Sequence, residues 1–170
     1  MKIELKKFQF FERMSEETNA FVADIHVEGK KVAYAKNDGH GGETYYHYYE
    51  GGRELTNKAE DFCLALPPIV LDGINGKPFK IKMDLTHFID DLVEAMLKEK
   101  EDKKINKLKE TCLIIGHVLK KGSYSYINFK QPLSQVPLAE LQKYVNKYKL
   151  EMKKTQCFWN TNLEELGIKL

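Results

Sequence analysis

Cysteine is scarce in this chain: three in 170 residues, Cys63, Cys112 and Cys157. An odd number, dozens of residues apart, excludes a disulfide framework and a paired-cysteine zinc knuckle, and a reducing, cytoplasmic setting is expected. Each lies in an apolar stretch, as a small buried hydrophobe does. Long hydrophobic runs are lacking as well. The longest, Cys112 to Leu119, is strand-length, and charges interrupt the apolar residues of Met1-Lys2-Ile3-Glu4-Leu5-Lys6-Lys7, so neither a signal-peptide core nor a membrane association is expected. No Gly-x-Ser-x-Gly elbow surrounds Ser15, Ser123 or Ser134, so none of these reads as the usual serine nucleophile. No His-x-Ser/Thr element occurs at His26 or His117, which leaves a two-histidine phosphoesterase without support.

What is present suits an ordinary globular chain, with 42% hydrophobic and 31% charged residues. The length fits one domain spanning residues 1–170. Net charge is only +2, but Met1 to Gly76 holds 9 basic and 13 acidic side chains, and Lys77 to Lys154 holds 17 and 10. A basic second half is compatible with a polyanion partner or with solvated helix faces.

Periodicity separates the elements. Ile3 to Phe11 and Thr18 to Val27 read as strands, the latter with Phe21, Ala23, Ile25 and Val27 on one face. Glu28-Gly29 is a turn, and Lys30 to Lys36 returns with Val32 and Tyr34 expected on a shared face. A short helix is predicted from Asn57, with Glu60 as reciprocal cap and Pro67-Pro68 as its stop. Ile69 to Leu71 and Phe79 to Met83 suggest a small hairpin around Asp72-Gly73 and Asn75-Gly76. Leu85, Phe88, Ile89, Leu92, Val93, Met96 and Leu97 recur at helical steps, and the pairs Glu94–Lys98 and Glu99–Lys103 favour one long helix. Thr111 to Leu119 and Tyr124 to Lys130 read as strands joined through Lys120-Lys121-Gly122-Ser123. Pro137 opens a second amphipathic helix, and a short strand near Phe158-Trp159 and a turn capped by Asn162 follow. Strands and helices come in blocks, which predicts an α+β fold: a predominantly antiparallel sheet packed against two main amphipathic helices.

The least typical stretch runs from Asn37 to Gly52. Amides at Gly39, Gly41 and Gly42 are candidates to cradle an anion, although the Lys-Ser/Thr of a P-loop is missing. Asp38, His40, Glu43 and His47 are ligand-type residues, yet two histidines seven apart do not match zinc spacing, so no metal and no cofactor is assigned. Tyr45, Tyr46, His47 and Tyr48 make the stretch a candidate contact surface, because tyrosine suits both protein and nucleic-acid partners. A possible polyanion contact combines Tyr124 and Tyr126 with Lys120, Lys121, Lys130, Lys143 and Lys147 on one basic surface. Asp90-Asp91 and Glu94 read as the wet face of the long helix, and no catalytic set assembles.

The meander followed by Asn37-Asp38-Gly39-His40-Gly41-Gly42, with the ending Asn160-Thr161-Asn162-Leu163, resembles small uncharacterised proteins of bacterial genomes and their phages. The resemblance implies an accessory or host-interaction role and brings no site with it. The expected function is a non-catalytic binding protein that engages a protein or a nucleic acid through the Gly/Tyr-rich loop. A binder or enzyme of nucleotides or phosphorylated small molecules is the alternative, and a self-assembling structural protein is a third.

Overall fold

The computed structural model describes residues 1–73, 76–119 and 123–170, and its contacts gather into two compact units, Met1–Lys98 and Glu99–Leu170. In the first unit the alternating residues form strands β1 (Ile3–Phe10), β2 (Phe21–Val27), β3 (Lys30–Asn37) and β4 (Tyr45–Tyr48), all antiparallel neighbours in that order. Phe21, Ala23, Ile25 and Val27 point to the core, none more than 4% exposed. Glu28 and Gly29 both take positive φ, 49° and 79°, in the tight turn whose twist suits an antiparallel pair.

One residue changes the face of β3. Ile25 lies opposite Ala33 while His26 lies opposite Lys31, so Val32 is an extra residue, a bulge. Val32 and Ala33 are therefore both buried, and Tyr34 emerges on the outer face. The shared face expected for Val32 and Tyr34 does not form.

Helix α1 (Arg53–Leu64) begins earlier than Asn57, straight after Gly51 and Gly52, and buries Thr56, Ala59 and Cys63. Glu60 does not cap it. Its Oε2 accepts the Leu85 amide (3.1 Å) at the start of α2 (Leu85–Thr111), where Asp84 Oδ1 also takes the His87 amide (2.9 Å). Those two acceptors satisfy amides that a helix leaves open in its first turn. The helix runs unbroken for 27 residues. Leu85, Ile89 and Val93 seat it on the sheet's inner face, and the Glu99–Lys103 pair closes at 2.6 Å, whereas Glu94 and Lys98 form no ion pair. Strands β5 (Ile69–Asp72) and β6 (Pro78–Ile81) form the expected hairpin. The turn residue Asn75 lies outside the described residues.

The unit Glu99–Leu170 has its own sheet, with β7 (Cys112–His117) between β8 (Tyr124–Asn128) and β9 (Gln156–Phe158), both antiparallel to it. Helix α3 (Leu138–Glu151) buries Leu141 and Val145 against Leu113, Ile127 and Phe158. Asn160 ties the carboxy-terminal segment to β7: its Oδ1 accepts the Ile114 amide (2.7 Å) and its Nδ2 donates to the Cys112 carbonyl (2.8 Å). The cap expected of Asn162 is not made, since its Oδ1 is buried without a hydrogen-bond partner, and the last turn closes through backbone bonds such as Ile168 N–H to the Leu163 carbonyl (2.9 Å). The chain is thus α+β with antiparallel sheets, and among the described residues no helix is long and apolar enough to cross a membrane.

Candidate functional site

Five glycines between Asn37 and Gly52 rule out a helix there, and the order of the stretch comes from one buried side chain. Asn37, 6% exposed, accepts the Gly39 amide and the Thr18 hydroxyl at its Oδ1, both at 2.8 Å. Its Nδ2 donates to the Gly42 carbonyl (3.0 Å) and to Thr44 Oγ1 (3.1 Å). The Thr44 hydroxyl donates in turn to Asp90 Oδ1 on α2 (2.5 Å). From the other side, the Gly39 carbonyl accepts the amides of Glu16, Glu17 and Thr18. Gly39 must be glycine: its φ is 89°, and a Cβ would stand 2.1 Å from the Met14 carbonyl oxygen.

This knot takes up two of the three amides expected to cradle an anion. The Gly39 amide is spent on Asn37 and the Gly41 amide on Thr18 Oγ1 (3.3 Å). Beside them opens a cleft of about 340 Å³ lined by Glu16, Glu17, Asp90 and Glu94, with Thr18, Asn37 and Gly42 among its other walls and no lysine or arginine. Carboxylates at those positions repel a phosphate. Burial pushes the Asp90 carboxyl above its ordinary range. His40 is turned outward and meets Glu16 at 3.1 Å, Asp38 holds Lys36 (3.3 Å), and Glu43 is exposed. Among the described residues no group of three or more His, Cys, Asp or Glu side chains could hold a metal ion. Asp90 and Glu94, dismissed in the sequence as a wet helix face, are walls of the cleft; their i,i+4 spacing beside Ile89 and Val93 is the available signal.

The tyrosines divide by strand alternation. Tyr46 faces inward, where its hydroxyl donates to Glu60 (3.1 Å), and burial together with that carboxylate pushes its pKa up to about 12. Tyr45 and His47 face outward in register with Lys36 and Tyr34. The Tyr45 hydroxyl donates to Asp38 (3.0 Å) under Lys36, and Tyr34 lies 6.1 Å from the His47 ring and 5.9 Å from Tyr49. Tyr49 donates to Asp24 (2.7 Å), which also pairs with Lys31 (3.0 Å) and Lys7 (3.9 Å). Tyr48 sits at the sheet edge below Arg53. Tyr34 of β3 and Tyr45 of β4 share the outer face at 37% and 46% exposed, and Tyr48, opposite Ala33 on the alternate face, is 45% exposed at the rim, so β4, an edge strand, carries open aromatic area.

Among the described residues the basic candidates do not gather on one surface. Lys120 and Lys121 lie outside the described residues. Tyr124 and Tyr126 stand opposite Gly116 and Ile114, on the sheet face that alternates with the Leu113–Ile127 face under α3. Lys143 and Lys147 are exposed on α3, so the sheet separates them from the two tyrosines. Lys130 is exposed beyond the end of β8, its amide bound to Asn128 Oδ1 (2.7 Å). Sequence reasoning missed Trp159, which reaches Tyr124 at 5.4 Å. Comparison with protein-family models, curated proteins and solved structures finds no match.

Proposed function

We propose that this protein is a non-catalytic binding module of the cytoplasm, and that its contact surface in Met1–Lys98 is the aromatic outer edge of the four-stranded sheet. The observation that supports this is the exposed set Tyr34, Tyr45 and Tyr48, held on strands whose connecting loop is tied down by Asn37. Tyrosines fixed in this way offer large amphipathic area at little entropic cost. The partner is another protein. Residues 1–98 carry 13 basic against 17 acidic side chains, and the adjacent cleft is acidic, so a phosphate backbone is disfavoured there. Edge strand β4 also leaves backbone donors and acceptors to which a partner strand can add. The accessory role implied by the resemblance to bacterial and phage proteins is of this kind. A nucleotide-binding role loses ground with the loss of free amides at Gly39 and Gly41.

The test compares wild type with the Tyr45→Ser/Tyr48→Ser variant, immobilised at equal density and exposed to the same bacterial lysate. The expected result is a protein retained by wild type and lost by the variant at unchanged circular dichroism. Equal retention by both would remove this surface as the contact. A second copy of the chain as the retained species would turn the reading into self-assembly.

A further inference from the structure

We infer that Glu99–Leu170 carries a separate second site, a stacking platform for single-stranded nucleic acid built from Tyr126, Tyr124 and Trp159, with Lys104 beside it. The three rings form one continuous line: Trp159 to Tyr124 at 5.4 Å and 47°, Tyr124 to Tyr126 at 6.5 Å and 41°. Sequence spacing alone does not bring them together. Gly116 does, because without a side chain at that position the Trp159 indole lies directly on β7; a Cβ there would stand 2.1 Å from the ring. Asn160, bonded to the Ile114 amide and the Cys112 carbonyl, anchors the chain directly after Trp159 and so helps fix where the indole lies. Tyr126, at the end of the line, is 53% exposed.

Charge selects the occupant. Residues 99–170 hold 14 lysines and 8 carboxylates, a net +6, whereas residues 1–98 carry −4. Lys104 lies beside the Tyr124 hydroxyl, and its carboxylate neighbour Glu101 is 3.6 Å away. Aromatic faces beside a lysine fit a chain whose bases are free to stack and whose phosphates are negative. A duplex hides its base faces and gains only the charge term. Lys143 and Lys147, on the far side of the sheet, lie outside the platform.

The chain contains a single tryptophan, so the platform reports its own occupancy. Titration with oligo(dT) and oligo(U) at physiological ionic strength is expected to quench Trp159, with an equal-length duplex binding more weakly. Tyr126→Ala is expected to weaken oligo(dT) binding about 5- to 150-fold, the range for one lost stack, while Tyr126→Phe retains it. Lys104→Gln is expected to weaken binding and to reduce the log–log salt slope by about 0.7. Absence of quenching, equal affinity for duplex, or unchanged affinity in Tyr126→Ala would each overturn the platform. Because the site shares no residue with the Tyr45–Tyr48 surface, its failure leaves the protein-binding reading standing, and the reverse holds as well.

Discussion

At the scale of single residues, Asn37 organises the first unit more than any other polar side chain. It makes four hydrogen bonds in a buried position, and each nets about 1 kcal/mol. Asn37→Ala is expected to cost about 3 kcal/mol in urea unfolding, and to loosen the loop that steadies Tyr45. Two carboxylates impose opposite pH dependences. Burial pushes Asp24 up, but the Tyr49 hydroxyl and Lys31 outweigh it and bring the carboxyl below its ordinary value of 3.8. Asp24 therefore adds stability that is present above pH 3.8 and lost as pH falls through the folded value. Asp90 is raised by burial, so its penalty is absent below 3.8 and grows as pH rises from there through the folded value. Unfolding free energy measured against pH should show a smaller acid limb in Asp24→Asn, Asp84 and other lowered carboxylates supplying the remainder. In Asp90→Asn the decline just above pH 3.8 should flatten. The functional-looking composition of Asn37 to Tyr49 was legible in the sequence. That its first polar residue would be a structural knot was not, because Thr18, Thr44 and Asp90 meet Asn37's network only after three elements have packed.

At the scale of elements, close approach between backbone segments sets the geometry. Gly52 starts α1 where a Cβ would stand 2.0 Å from the Val32 carbonyl oxygen, so the helix can begin there only because a glycine lets β3 come near. Gly52→Ala is expected to lose about 2 kcal/mol despite alanine's better helix propensity, with thermal unfolding as the measurement. The neighbouring Gly51, at φ 72° with nothing within 4 Å of a Cβ, should accept Asn at little cost. Helix α2 was readable because its seven apolar residues recur at three and four. The start of α1 was not, since the glycines before it argue locally against a helix, and a tertiary contact with β3 outweighs that local preference. The bulge at Val32 was equally hidden, because one added residue leaves the apolar alternation looking regular on paper while it turns Tyr34 outward.

At the scale of the whole molecule, each compact unit has its own apolar core and its own sign of charge. Ile25, Val27, Leu85 and Ile89 belong to one core, and Leu113, Leu141, Val145 and Leu163 to the other. Leu141→Ala should destabilise by about 2–5 kcal/mol, and hydrogen exchange should show the loss of protection concentrated in Glu99–Leu170. Opposite charge should also separate the two binding activities. Oligonucleotide binding is expected to fall steeply with added salt, whereas retention of a protein on the Tyr45–Tyr48 surface should change little.

Local periodicity, turn chemistry and composition determined on their own that the chain would be α+β, where most strands and the two main helices lie, and which residues were candidates for contact. These properties depend on neighbours within a few positions, so one dimension records them. Only the tertiary structure decided that the Gly39 and Gly41 amides are occupied, that Asp90 and Glu94 wall a cleft, that Trp159 joins Tyr124 across Gly116, and that Lys143 and Lys147 are parted from Tyr126 by a sheet. Each of those depends on which face a residue takes and what packs against it, and strand register and backbone approach settle both over long distances in sequence.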